Sequence, residues 1–195
     1  MSGWDHDNDK PRSNWKKLAG NLELLDFART NVIILNYSFN KISSLKIVDG
    51  HKLTWLIFNK NKISKINLTY LPNLTNFDFS DNYLEDLEFL SSLNPDKLTN
   101  LIINNNNLVK QDISIFNRFV NLDTLRIDNT DKEKFETGIH NRFFGSLRSL
   151  KDLTKLRVLG IANNEIDFEL EDLPISLELI NYFYDLGFFW NRCWK

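Results

Sequence analysis

Cysteine is all but missing from this 195-residue sequence: Cys193 stands alone, so no disulfide can close within the chain and a reducing compartment is expected. Histidine is nearly as scarce. His6, His51 and His140 cannot supply a set of thiolates and imidazoles for zinc, and the cluster Asp5, His6, Asp7 and Asp9 is an acidic stretch rather than a metal site, so neither metal nor cofactor is expected. The seven glycines nowhere approach the G-x-G-x-x-G or G-x-x-x-x-G-K spacing that cradles a phosphate. Dispersed histidines also leave serine and cysteine without a nearby base, and the chain is read as not an enzyme. No run of 18 apolar residues occurs, and MSGWDHDNDKPRSNWKK at the start has no apolar segment of an export signal. A cytoplasmic, non-spanning protein is expected. With 24 basic and 26 acidic residues, net charge -2, no cationic excess exists to hold nucleic acid or a membrane surface.

What the sequence has in quantity is leucine, 30 residues, and asparagine, 26 residues, and both recur at fixed intervals. The template L-x-x-L-x-L-x-x-N-x-L fits VIILNYSFNKI from Val32, LTWLIFNKNKI from Leu53, LTNFDFSDNYL from Leu74 and LTNLIINNNNL from Leu98. It fits LRVLGIANNEI from Leu156 equally well. In LDTLRIDNTDK, from Leu122, Thr130 and Lys132 stand where the template has asparagine and leucine, and LELINYF from Leu177 keeps only the first half. The starts are 21, 21, 24, 24, 34 and 21 residues apart. A fixed period takes precedence over any local reading of helix or strand.

In this the chain resembles leucine-rich repeat proteins, over residues 32 to about 183. The segments SLNPDKLTNLIINNNNL, DISIFNRFVNLDTL and NRFFGSLRSLKDLTKL are more narrowly similar to the expanded leucine-rich repeat sets of mycorrhizal fungi. The resemblance implies an α/β solenoid: a curved right-handed coil with a parallel sheet on its concave side and an irregular, partly helical convex side. It further implies a partner-binding role.

The same layout follows from the residues. Positions four and six of each copy are apolar two residues apart, the spacing of one strand face, and with positions one and eleven they point inward. Seven copies therefore predict seven parallel strands. Asn40, Asn61, Asn82, Asn106 and Asn164 recur where the chain leaves the strand, and a buried amide there can satisfy turn backbone groups as a structural ladder. The convex side of the 21-residue copies is expected to be short and irregular. Ile113, Phe116 and Phe119 are three apart, and Phe135, Ile139 and Phe143 fall at i, i+4 and i+8, so residues 131–153 are read as a helical insertion in a repeat domain spanning 32–184.

Both ends need covering. Pro11 can start a helix carrying Trp15, Leu18 and Leu22 on one face, which makes 11–31 an amino-terminal cap behind a mobile tail, 1–10. The segment 185–195, within a run of aromatics from Tyr182 to Trp194, either folds back as a cap or forms an exposed patch.

Positions three and five project from the concave face. Trp55, Ile57, Asn76, Asp78, Asn100, Ile102, Thr124 and Arg126 are accordingly the candidate contacts, Arg126 facing Asp78 across two rungs. The expected function is recognition of an unidentified protein or peptide by a monomer. The alternative is a structural or regulatory fragment of a larger or self-associating assembly, joined through the aromatic end.

Overall fold

A computed structural model describes residues 16–25, 27–167, 171 and 173–182. The expected tail 1–10, the first part of the expected cap and the aromatic segment 185–195 with Cys193 lie outside the described residues.

Alternating apolar and polar residues at the middle of each copy make a short strand, and the chain then turns away. In chain order the strands and the α-helix of the described residues are β1 (Ala19–Leu24), β2 (Ile34–Asn36), β3 (Lys41–Val48), β4 (Trp55–Ile57), β5 (Lys65–Thr69), β6 (Asn76–Asp78), β7 (Asn100–Ile102), β8 (Gln111–Asp112), β9 (Thr124–Arg126), α1 (Lys132–Glu136), β10 (Phe143–Ser146), β11 (Val158–Gly160), β12 (Glu165–Asp167) and β13 (Leu179–Asn181). One strand from each copy enters a seven-stranded parallel sheet, ordered β13-β11-β9-β7-β6-β4-β2. Its register is unbroken, with Trp55 opposite Ile34 and Asn76, and Ile102 opposite Asp78 and Arg126. Among the described residues the fold is thus α/β with parallel sheets, little helix and no closed barrel, an arrangement compatible with a parallel-sheet solenoid.

The fourth position of every copy, from Leu35 to Ile180, is buried, and so are Phe58, Phe79, Ile103, Ile127 and Ile161 at the sixth. Burying each such side chain stabilises the fold by about 1.5–3 kcal/mol. Tyr37, Phe58 and Phe79 stack along the sheet direction at centroid distances of 5.4 and 5.3 Å. The chain leaves the strand through a left-handed residue at position eight: Phe39, Lys60, Asp81, Asn105 and Asn163 have φ between 55° and 60°. Each such conformation costs an ordinary residue roughly 1–2 kcal/mol. The following asparagine offsets that cost. Asn82 Oδ1 accepts from Ile63 N at 2.9 Å, and its Nδ2 donates to Phe58 O at 2.9 Å and Phe79 O at 3.2 Å, tying its own copy to the one before. Asn61 serves Ile42 and Tyr37, Asn106 serves Leu84 and Phe79, and Asn164 serves Phe143 and Ile127 in the same manner. Asn40 accepts from Leu18 N, so the ladder begins before the first copy.

On the opposite flank the length of the copy decides the structure. The 21-residue copies are not irregular there, contrary to expectation: β3 and β5 continue a three-stranded parallel sheet that starts with β1. The 24-residue copies instead carry 3₁₀ turns, Glu88–Ser92 and Ile113–Phe116, whose three-residue turn buries Ile113, Phe116 and the following Phe119. Asp112 caps the second, its Oδ1 accepting from Ser114 N at 2.8 Å, and that bond lowers its pKa.

Two further expectations are corrected. Residues 19–24 are strand, not part of a cap helix, because pairing β1 to β3 half-buries Leu22 and Leu24 at a spacing of two while leaving Asn21 and Glu23 exposed. Residues 131–153 are not one amphipathic helix: α1 spans five residues, none of them buried, and Phe143 lies in β10 with its side chain in the core. A three-stranded sheet β12-β10-β8 gives Phe143 a place that helical periodicity could not anticipate.

Candidate functional site

Because positions four and six face the core, positions three and five of the seven-stranded sheet face outward in two parallel rows. The first row runs Ile34, Trp55, Asn76, Asn100, Thr124, Val158 and Leu179; the second runs Asn36, Ile57, Asp78, Ile102, Arg126, Gly160 and Asn181. Trp55 is 45% exposed and Ile34 52%, side by side on neighbouring strands. Ile57, Asn76, Asp78, Asn100, Ile102, Thr124 and Arg126 are half-buried. The eight candidate residues therefore form one continuous patch over β4, β6, β7 and β9.

The alternation continues beyond position five to position seven, and the two positions interact. Asn36 Oδ1 accepts from Ser38 Oγ at 2.7 Å, and Asp78 Oδ1 accepts from Ser80 Oγ at 2.7 Å and from Ser80 N at 3.0 Å. In β9 the pair is ionic: Arg126 Nη2 donates to Asp128 Oδ2 at 3.1 Å, and the Asp128 side chain is fully buried. Asp78 lies in the same row two rungs from Arg126, with Ile102 between them, and Arg126 pairs with Asp128 instead. Its own turn holds it, because a buried carboxylate two residues on is both closer and less screened. Gly160, on the adjacent strand, makes this possible: a β-carbon there would run into the Asp128 carboxylate. In β4 and β7 position five is isoleucine, and the following Asn59 and Asn104 have buried side-chain oxygens with no hydrogen-bond partner.

The edge of the patch is shaped by the insertion. The sequence placed the fifth ladder position at Thr130, but Asn141 occupies it: its Oδ1 accepts from Leu108 N at 3.3 Å and its Nδ2 donates to Ile103 O and Ile127 O at 3.0 and 3.1 Å. Phe143, two residues on, takes the place assigned to Lys132. Residues 130–140 thus leave and rejoin the chain between positions eight and nine. Asn129 closes the gap, donating to Asn141 O at 3.0 Å and accepting from Asn141 N at 2.8 Å. The signal was present as an asparagine followed two residues later by a large apolar residue, displaced by eleven residues from its expected site.

The insertion folds back along the row of left-handed turns. Asn105 Oδ1 accepts from Thr130 N at 2.7 Å and Asp131 N at 3.0 Å, and Lys134 Nζ donates to the carbonyls of Asn82 and Asn105 while lying 4.3 Å from the Tyr83 ring centroid. Desolvation lowers the Lys134 pKa against the opposing pull of Asp81 and Asp131. Together they border an open cleft of about 490 Å³. His140 packs against Phe135 at 4.7 Å, and its pKa is lowered by burial and by Arg142. His51 pairs with Asp49 at 2.8 Å on the other flank. No nucleophile and base converge in the patch or the cleft, and among the described residues no group of three His, Cys, Asp or Glu is placed to hold a metal. No described helix is long and apolar enough to cross a membrane.

No family model matches the chain, and no curated protein is significantly similar to it.

Proposed function

We propose that this chain is a non-catalytic recognition module, a leucine-rich repeat solenoid that binds a protein or peptide segment on the concave outer face of its seven-stranded sheet. The observation that carries the reading is Trp55, nearly half exposed on β4, one strand in from the β2 edge of that face, with Ile34 opposite it and Ile57 two residues along. Tryptophan is among the residues that dominate binding energy when a partner covers them. The ladder supports the reading too. A surface pinned by buried amides at each rung loses little conformational freedom on binding. The partner is a polypeptide, without nucleic acid, membrane or cofactor, met by a monomer in the cytoplasm.

The test is a display library of protein fragments from the source organism, selected on the immobilised chain. Bound fragments are expected to lose at least about tenfold in affinity with Trp55→Ala, one hot spot's worth, and to be indifferent to Lys65→Glu on β5. Fragments insensitive to both Trp55→Ala and Asn100→Arg in folded protein would overturn it. Arg126 is a poor probe because reversing its charge would also strip the buried Asp128 of its partner.

A further inference from the structure

The first copy departs from the others at two positions that are polar elsewhere. At position two the next three copies carry Thr54, Thr75 and Thr99, where the first has Ile33. At position eight they carry Lys60, Asp81 and Asn105, where the first has Phe39, held at a left-handed φ of 60° that aromatic residues seldom adopt. Ile33, Phe39 and the neighbouring Ile34 are each more than half exposed. Apolar side chains gathered at one open edge mark a contact surface.

The backbone at this edge is equally unmatched. In the copies that follow, the third-position N–H donates to the second-position carbonyl of the copy before, as Trp55 N does to Ile33 O at 3.2 Å and Asn76 N to Thr54 O at 3.0 Å. The fifth-position carbonyl accepts from the sixth-position N–H of the copy before, as Ile57 O does from Tyr37 N at 2.9 Å and Asp78 O from Phe58 N at 2.8 Å. Because β2 ends the sheet, Ile34 N–H and Asn36 C=O have no such partner among the described residues, and alternation turns the Asn36 N–H the same way. The opposite flank runs one strand further, since β1 lies beyond β3. The described residues therefore leave a notch one strand wide beside β2, ~4.8 Å across. The sequence leading into β1 does not carry the residues of a further copy. Leu18 N donates to Asn40 Oδ1 and Leu18 O accepts from Lys41 N, the bonds that Ile42 makes to Asn61 and Lys62 one copy on, so Leu18 stands at position eleven. Counted back, positions four and six fall on Pro11 and Ser13, where every copy has a large apolar or aromatic residue.

We propose that β2 takes an extended segment of the polypeptide partner as a further parallel strand, its apolar side chains against Ile33, Ile34 and Phe39 and acidic residues at its carboxyl end beside Lys17, Lys41 and Lys60. The proposal rests on the outer face being the recognition surface, with which the notch is continuous through Ile34 and Trp55 on paired strands. An edge strand holds such a segment by main-chain hydrogen bonds, and the side chains beside it select the sequence. The direction follows from charge. Lys17, Lys41 and Lys60 are exposed where β2 ends, Lys41 bonded to Leu18 and Lys60 lying 5.0 Å from the Phe39 ring centroid, and none is in an ion pair among the described residues. Acidic groups are therefore favoured at the carboxyl end of a parallel strand. A second copy fits the step less well, because two such edges facing each other would meet at β1 and hold the two β2 strands apart.

The experiment titrates the peptide acetyl-TVTVTDD-amide into the uniformly ¹⁵N-labelled full chain and follows backbone amide exchange at Ile34 and Asn36, with Leu35, which faces β4, as the internal reference. The expected result is a saturable slowing at Ile34 and Asn36 and none at Leu35, about tenfold or more weaker when the peptide nitrogens are methylated. The reversed peptide acetyl-DDTVTVT-amide should bind more weakly. Ile33→Thr with Phe39→Lys installs the residues of the second copy, Thr54 and Lys60, and should weaken binding about tenfold while the melting temperature holds. Should that variant be unstable, Lys41→Glu with Lys60→Glu decides, since it should favour acetyl-TVTVTKK-amide instead. No slowing, an equal response to the methylated or reversed peptide, undiminished binding in the first variant or an unchanged preference in the second overturns the proposal. So does slow exchange at Ile34 and Asn36 in the free chain, whether constant, with the chain's own residues in the notch, or growing with concentration, with a second copy there. Library fragments that need Trp55 but leave Ile34 and Asn36 exchanging freely overturn the added strand alone. Fragments indifferent to the outer face as well overturn the recognition surface with it.

Discussion

The fourth copy, from Leu98, and the fifth, from Leu122, pair residue for residue through β7 and β9 and separate only after position eight. In the fourth, Asn105 turns through a left-handed φ of 55° and Asn106 follows directly as the ladder amide. In the fifth, Asn129 is not left-handed; eleven residues intervene, and Asn141 enters the core from the far end of the loop. The ladder is therefore a requirement on where an amide sits and not on where it falls in the chain. Asn129 accomplishes the closure by bonding both backbone groups of Asn141.

Four changes sharpen this contrast. Asn106→Ala should cost most, about 4 kcal/mol in chemical denaturation, because it leaves Leu84 N, Phe79 O and Ile103 O unpaired in the core. Asn141→Ala should cost about 3 kcal/mol, since it serves Leu108 N through a longer bond. If Asn141→Ala were harmless while Asn106→Ala was severe, the insertion would be a true break in the ladder. Gly160→Ala should lose about 2 kcal/mol by pushing on the buried Asp128, and should loosen the Arg126 ion pair in the same measurement. Deleting residues 130–140 joins Asn129 to Asn141 and restores an uninterrupted copy, LDTLRIDNNRF. Its unfolding free energy should stay within about 1 kcal/mol of the parent, the lost Lys134 contacts being set against a shorter loop. Failure of that deletion to fold would make the insertion part of the scaffold.

The smallest effect is one of pH. His140 is held below its ordinary pKa, so the unfolded loop binds a proton more readily than the folded one. The stability it contributes is present above about pH 6.5 and is lost as pH falls through the window beneath that value. Amide exchange in residues 130–140 should quicken relative to β9 as the solution is acidified, and His140→Gln should flatten the response.

The seven strands and their inward residues were legible because a period of apolar residues survives every change of copy length. Leu101 and Leu125 sit where the template puts them. The back flank was less so. Whether residues 41–48 or 111–116 become strand or 3₁₀ turn depends on how many residues must span the same distance to the next strand of the sheet, a property of the stacked strands rather than of local propensity. The insertion was misread because Phe135, Ile139 and Phe143 have helical spacing, while Phe143 is drawn into β10 by a core position that Leu108 fills one copy earlier. On the outer face, Trp55 and Ile102 could be named from alternation. The Arg126–Asp128 pair needed the knowledge that position seven folds back on position five, which Gly160 hints at only once the neighbouring carboxylate is placed.

The outer face of the seven-stranded sheet is the surface on which the account stands, and hydrogen–deuterium exchange of the full chain with and without a library-selected fragment addresses it directly. Protection is expected over β4, β6, β7 and β9, with β3, β5 and the 3₁₀ turn Ile113–Phe116 unchanged. Protection centred on that opposite flank, with the strand carrying Trp55 untouched, would contradict it.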